Sequence, residues 1–366
     1  MTTGRPTVVG VVREVKNDEN RVALTPQGVH DLVHDGHRVL VEAGAGDGSS
    51  IADTEYAEQG ATLVATSAEV WEFSSIVVKV KEPMEEEFVH LRRGLVLFTY
   101  LHLAAYPRVA RALVDSGTTA IAYETVQAPD GSLPLLAPMS EIAGRMAPQV
   151  GARFLERYQG GRGVLLGGAV GVEPGRVVVI GAGVSGHNAA VIARGLEAHV
   201  TVFDLNVDRL REFDRIEKGA ITTRMAHTLD VQRACIDADL VIGAVLVPGA
   251  KAPKVVSAET VAAMRPGSVI VDIAIDQGGC IETSRETSHS HPVFVEHGVV
   301  HYAVGNIPGA VPRTSTYALT NVTLRYLRAL AGSGLDAALA DSPALAGGLN
   351  VRDGEIVHPV VRSALG

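Results

Sequence analysis

The sequence predicts an α/β protein of two domains, each built on a parallel sheet, and three observations carry the prediction. Short apolar, β-branched runs alternate along the chain with stretches whose apolar residues recur at helical spacing, the pattern of parallel strands crossed by helices. One such run, Val177 to Ile180, leads directly into Gly181-Ala-Gly183-Val184-Ser-Gly186, and His187 to Leu196 then reads as a helix. The next run, His199 to Phe203, closes on Asp204, 21 residues beyond Gly183. Glycines alone also mark ordinary tight turns. With strand, helix, second strand and terminal aspartate in order, they form the fingerprint of a Rossmann-type dinucleotide-binding domain. One glycine lets the strand turn, and the next lets backbone approach a pyrophosphate. The third lets the helix sit close on the sheet, its N-terminal N–H groups aimed at the phosphate. Asp204 stands where an acidic residue accepts hydrogen bonds from the adenosine ribose.

The remaining elements follow in order. Thr7 to Val12 reads as a strand, and Thr25-Pro-Gln opens a helix with a cap and a proline at its first position. A strand follows at Arg38 to Val41, then Ala43-Gly-Ala-Gly-Asp-Gly48, whose spacing suits a turn better than a phosphate cradle. Further strands are expected at Ile76 to Val80, Leu95 to Thr99 and Thr119 to Ala122, with helices near Ser67 to Trp71 and Tyr106 to Ser116. The proline-rich connection Ala128 to Pro138 precedes a long helix, capped by Ser140, from Glu141 to about Gln159. Its apolar face is Ile142, Met146, Val150 and Phe154. The domain boundary is expected there: residues 139–308 as the dinucleotide-binding domain, residues 1–138 with 309–366 as a discontinuous α/β substrate domain. Strands of the former are expected at 176–180, 199–203, about 221–224, 239–243, 268–272 and 299–303. Asn306 to Thr316 reads as turns, followed by a helix from Tyr317 to Leu330 and an Ala/Leu-rich tail.

Composition narrows the partners. A net charge of −9, with no dense Lys/Arg run, argues against nucleic acid and anionic membranes. The longest apolar stretch, Leu240 to Val247, is far short of the roughly 20 residues a membrane helix needs. Two cysteines, Cys235 and Cys280, give no disulfide framework and read as core thiols in a reducing compartment. The N-terminal apolar run is too short for a signal peptide, so a cytoplasmic location is expected.

Four stretches outside the fingerprint could carry chemistry. Arg21 closes a charged run between the first strand and helix. It suits a bidentate carboxylate clamp, or it is a solvated loop charge. Lys79 and Lys81 alternate along an apolar strand, which sends both to one side. They would need partners such as Glu82 or a bound anion, unless the strand is an exposed edge. His102 ends the run Leu97 to Leu103, where a packed core histidine competes with a ligand-facing one at a strand's C-terminal end. Asp272 and Asp276 end a Rossmann strand near the expected nicotinamide, and Asp276, followed by two glycines, also suits a turn. His289, His291, His297 and His301 fit no familiar zinc spacing, and no metal is expected.

These motifs together resemble the alanine dehydrogenase family, which includes the nucleotide-binding subunit of proton-translocating transhydrogenase. The resemblance runs from Val9 to about Leu349, through Glu14-x-Lys-Asn-x-Glu-x-Arg21, Lys79-Val-Lys-Glu-Pro83, Thr99-Tyr-Leu-His-Leu-Ala104 and Ala137-Pro-Met-Ser-Glu141. It continues through Gln159-Gly-Gly-Arg-Gly163, Ile242 to Pro253, Asp272 to Cys280 and Pro308-Gly-Ala-Val-Pro312. It implies NAD-linked oxidative deamination of L-alanine to pyruvate and ammonia, and the reverse, by a homo-oligomer, expected to be a hexamer. At the matching positions Arg21 and Lys81 hold the substrate carboxylate and oxo group, while His102 and Asp276 are the catalytic pair. Asp204 reads the ribose, with Arg209 near the adenine end. The resemblance further implies that Ser140, Gly181, Gly183, Val184, Gly186, Val245, Leu246, Ile273, Ala274, Ile275, Arg285, Val304, Gly305, Asn306 and Ile307 line the cofactor. His187, Ala226 and Ile307 depart from the familiar tyrosine, serine and methionine. A transhydrogenase-type subunit and a dehydrogenase acting on glycine/glyoxylate are the alternatives.

Overall fold

The computed structural model describes residues 6–245 and 252–365. The chain forms two compact units, Met1–Met139 with Val311–Gly366, and Ser140–Ala310. The first unit opens with strand β1 (Val8–Val11), helix α1 (Pro26–His34), β2 (Arg38–Glu42), α2 (Asp53–Glu58), β3 (Thr62–Val64), α3 (Ser67–Phe73) and β4 (Ile76–Val78). It continues with β5 (Val96–Thr99), α4 (Pro107–Ser116) and β6 (Thr119–Ala122). Helix α1 starts where the sequence predicts: the Thr25 side chain accepts from the Gly28 N–H, and Pro26 occupies the first turn, where its missing N–H costs nothing. These six strands are parallel in the order β6-β5-β4-β1-β2-β3. Chain direction across the sheet therefore reverses between β1 and β4. In open α/β sheets ligands bind in the crevice beyond the strand ends at such a point. The loops after β1 and β4 carry Arg21 and Lys81.

Helix α5 (Ala137–Phe154) differs from the expectation at both ends. It begins three residues before Ser140, which lies in its first turn and does not cap it. Pro138 is compatible with a first turn, so the helix can start ahead of the serine. It stops at Phe154, and a short 3₁₀ turn, Arg157–Gln159, ends at Gly160 in a left-handed conformation (φ +95°). The second unit then runs β7 (Arg176–Ile180), α6 (Val184–Gly195), β8 (His199–Asp204), α7 (Val207–Glu217), β9 (Thr222–Met225), α8 (Thr228–Asp237) and β10 (Leu240–Gly243). After it come α9 (Ala258–Ala263), β11 (Val269–Asp272), β12 (Val293–Glu296) and β13 (Val299–Tyr302). Its order is β12-β13-β11-β10-β7-β8-β9, parallel except for β12. This is the doubly wound dinucleotide-binding order with one added edge strand. The switch point lies between β7 and β10, whose registers align Ile180 with Gly243.

The chain returns to the first unit with α10 (Pro312–Ser333), α11 (Leu335–Asp341), α12 (Pro343–Gly347), β14 (Leu349–Arg352), β15 (Glu355–Ile356) and α13 (Pro359–Leu365). Strand β14 pairs antiparallel with β6, and β15 antiparallel with β14. The expected parallel sheets are found, six parallel strands in each, with antiparallel additions at one edge: β14 and β15 in the first unit and β12 in the second. Runs of two to four residues leave a weak signal in sequence, because they are too short to show the period of a strand. Helix α10 also starts five residues earlier than expected, at Pro312, a residue that suits a first helical position. Both cysteines are buried free thiols, and burial pushes Cys235 up to about 12. Among the described residues no helix is long and apolar enough to cross a membrane.

Candidate functional site

The fingerprint glycines answer to three different constraints. Gly181 has φ +104°, and a Cβ there would lie 2.5 Å from the Ala244 carbonyl oxygen across the switch point. At Gly186 a Cβ would fall 1.7 Å from the Gly181 carbonyl oxygen, so the helix can pack on the strand only without a side chain. A Cβ at Gly183 would meet nothing within 4 Å. The protein itself places no demand on that position. The space it leaves lies over the N-terminus of α6, in a cleft lined by Ala182, Gly183, Val184, His187, Asn188 and Arg209. An anionic ligand brought close to bare backbone N–H groups explains that glycine. The residues present therefore fit a dinucleotide.

Asp204 ends β8 beside this cleft. Its Oδ2 accepts from Ala182 N at 2.6 Å and its Oδ1 from Asn206 N at 2.7 Å, while Arg209 Nη1 lies 3.7 Å from Oδ2. The carboxylate is mostly buried and braces the glycine turn, a duty the sequence did not reveal. A carboxylate offers about four acceptor sites, so two amides leave room for a ribose hydroxyl. His187 packs its ring against Phe213, with centroids 4.6 Å apart.

The two aspartates after β11 separate in role. Asp272 is fully buried, and its oxygens accept from the backbone N–H groups of Ala274, Cys280 and Ile281. Gly278 and Gly279 make the left-handed turn that lets the chain fold back onto it. Asp276 is exposed, so the turn is built by Asp272 and the glycines, and the Asp276 carboxylate is left to face outward. It stands near Gly305, whose hypothetical Cβ would lie 3.2 Å from Asp276 Oδ1 and 2.3 Å from Glu286 Oε1. Of the other expected lining residues, Ala274, Ile275, Val304 and Ile307 are buried, so any contact they make is mainly through backbone. Val245, Ile273, Gly305 and Asn306 are part-exposed, Asn306 with φ +63°. Leu246 lies outside the described residues. Arg285 is not brought to the glycine cleft. It stacks over Phe294 at 3.8 Å and lines a separate hollow with Glu286, Thr287, Ser288 and His291.

At the switch point of the first unit, Arg21 is 2% exposed. Glu19 grips one edge of its guanidinium, accepting from Nε at 2.7 Å and from Nη2 at 2.5 Å, while Nη1 donates to Met139 Sδ at 3.0 Å. Burial alone would raise the Glu19 carboxyl. The charge and hydrogen bonds of Arg21 outweigh it and hold Glu19 at about 2. The competing picture of a solvated loop charge is therefore excluded. Glu19 occupies the Nε edge of the guanidinium. Lys79 and Lys81 are not equivalent. Lys79 is fully buried between Glu14 (3.1 Å) and Glu87 (2.9 Å), and these two acids, not Glu82, are its partners. Burial would lower the Lys79 ammonium, but the two carboxylates keep it charged. Glu82 pairs instead with Lys16. Lys79 is thus a structural charge, whereas Lys81 is half-buried.

His102 follows β5 with φ +48°, a left-handed conformation uncommon for any residue but glycine. Its side chain is part-exposed, which separates it from a packed core histidine. Glu124 accepts from its backbone N–H at 2.6 Å. Neither Glu19 nor Glu124 was singled out by sequence reasoning. The only available signal was an acid two residues before Arg21 and another just after a strand end.

Comparison with known proteins agrees with this geometry. Residues 10–143 match the model described as Alanine dehydrogenase/PNT, N-terminal domain, and residues 147–359 match Alanine dehydrogenase/PNT, C-terminal domain. The alanine dehydrogenases of Mycolicibacterium smegmatis and Bacillus subtilis are each 56% identical, over 98% of this chain and 96% and 95% of theirs. A solved L-alanine dehydrogenase superposes with a TM-score of 0.96 at 50% identity, covering 98% of this chain and 100% of that one. A transhydrogenase from Sinorhizobium meliloti gives 0.82 at 26% identity, covering 96% and 99%. With both halves matched in order, and with the glycine turn and Arg21 at the two switch points, the chain belongs to the alanine dehydrogenase/PNT family.

Proposed function

We propose that the protein catalyses the reversible oxidative deamination of L-alanine to pyruvate and ammonia, with NAD as the hydride carrier. The observation that carries this reading is the switch point of the first unit, where the buried Arg21 guanidinium and Lys81 stand on the loops after the two neighbouring strands, in a chain 56% identical to alanine dehydrogenases. That set suits a small 2-amino or 2-oxo acid. The first unit is then the substrate domain and the second the cofactor domain.

NAD, when bound, supplies hydride acceptance from the alanine α-carbon. Gly183 and the first amides of α6 would hold its pyrophosphate, and Asp204 its ribose. Everything else falls to the chain's own side chains. Arg21 and Lys81 offset the substrate carboxylate and polarise the oxo group. With so small a substrate, this clamp supplies most of the orientation. The amine must lose a proton before the hydride leaves, and the resulting iminium must add water and expel ammonia. His102 takes and returns those protons, as suits an imidazole, which can both accept and donate a proton through its ring nitrogens. Asp276 stabilises positive charge on the iminium nitrogen. The transhydrogenase-type alternative is less favoured, since the likeness to the solved transhydrogenase is 26% identity against 50% for the solved dehydrogenase.

The test is nicotinamide reduction at alkaline pH with NAD or NADP and a panel of short amino acids. Alanine with NAD is expected to give the highest kcat/KM. A 2′-phosphate would meet the Asp204 carboxylate, with the exposed Arg209 among the described residues to offset it. Equal efficiency with both cofactors would show that Asp204 does not face the ribose. Preference for glycine would replace the substrate assignment.

A further inference from the structure

The segments after β5 and β6 lie side by side because those strands are parallel neighbours, with Thr99 opposite Ala122. This brings Glu124, in the 3₁₀ turn Tyr123–Thr125, against the loop of His102. The carboxylate makes two kinds of approach. Its Oε1 accepts from His102 N at 2.6 Å, and both oxygens accept from Leu101 N, at 3.3 and 3.2 Å. The same Oε1 lies 3.9 Å from His102 Nδ1. That nitrogen is buried and makes no hydrogen bond among the described residues. A buried polar atom left this way is costly, and a small rotation of the ring toward Glu124 would satisfy it. With Nδ1 turned inward, the ring nitrogen available to substrate is Nε2.

We propose that Glu124 is the positioning residue of His102, its carboxylate holding both the left-handed backbone and the Nδ1 edge of the imidazole so that Nε2 exchanges protons with substrate. The inference rests on His102 being the proton-transfer group proposed above. A carboxylate behind a histidine fixes which nitrogen carries the proton and stabilises the imidazolium as it forms. Glu124 is faced by Tyr100, His102 and His358, and His102 by Glu124 and by the Tyr100 ring at 5.7 Å. Burial lowers His358 below the usual histidine range, with Glu124 opposing, so His358 brings little positive charge to the pair near neutral pH.

Glu124→Gln is the discriminating variant, because its amide oxygen can still accept from the backbone N–H groups while the charge is gone. The kcat/KM for alanine is expected to fall at least about tenfold. The acidic limb of its pH profile is expected to move to lower pH, since the imidazolium loses its counter-charge. NADH affinity is expected to stay within a few-fold. Glu124→Asp keeps the charge at shorter reach, so the limb stays near its wild-type position while kcat falls. A Glu124→Gln profile of unchanged shape, whether or not the rate drops, overturns the proposal, because Glu124 would then only brace the turn. Should that variant not fold, Glu124→Asp decides: wild-type kcat and limb together overturn the proposal. His102→Ala separates the two readings. If it stays active, the proposed function of His102 fails. If it is inactive while Glu124→Gln matches wild type, only the role of Glu124 fails.

Discussion

His102→Ala is expected to lower alanine oxidation by at least about 10²-fold, the lower end of what a general acid–base group typically contributes, while NADH affinity changes no more than a few-fold. The histidine belongs to the first unit, and the glycine turn and Asp204 belong to the second, so the substitution removes the proposed proton carrier and changes no residue of the glycine turn. Alanine at φ +48° adds a backbone cost that could be mistaken for a catalytic one. His102→Asn is the companion, because asparagine enters the left-handed region more readily and cannot shuttle the proton. Steady-state rates with both variants, beside NADH titration by fluorescence, measure the separation. Retention of more than about a tenth of wild-type turnover by either variant would move the search for the base elsewhere.

The second large effect contrasts two glycines of one turn. Gly183→Val is expected to fold with a Tm close to wild type, because the added side chain enters space where the protein has no atoms. It should nevertheless lose most NADH binding, because that space is where the pyrophosphate would lie against the α6 amides. Gly186→Val is expected to fail earlier, in folding itself, since a Cβ 1.7 Å from the Gly181 carbonyl oxygen forces helix and strand apart. Thermal denaturation and NADH titration of the two proteins are sufficient. If Gly183→Val binds NADH normally, the cofactor does not cross that glycine and the cradle has been misplaced.

The sequence by itself determined what short-range periodicity and turn chemistry can express. Val177 to Ile180, the glycine triplet and the helix behind it were legible because each is dictated by residues within a few positions of one another, and they fold as β7 and α6. The six parallel strands of each sheet were largely legible for the same reason, since buried strands are apolar throughout. Three-residue β3 and the antiparallel β12, β14 and β15 were not, because each is a run of only two to four residues at or next to a sheet edge. The start of α5 was misplaced because Ser140 has the chemistry of a cap, while the helix begins at Ala137, where Pro138 suits a first turn.

Only the tertiary structure decided which charges are structural. Lys79 and Lys81 are two residues apart and look alike in sequence. The first is enclosed by Glu14 and Glu87, 65 positions before it and 8 after it, and the second is only half-buried. Asp272 and Asp276 likewise differ only once the chain folds back and presents the amides of Cys280 and Ile281 to the first of them. Glu124 meets His102 because β5 and β6 pair in parallel, and nothing local to either residue announces it. A buried charge must find its partner wherever the sheet brings one. The identity of that partner is a property of strand order, which local sequence does not encode.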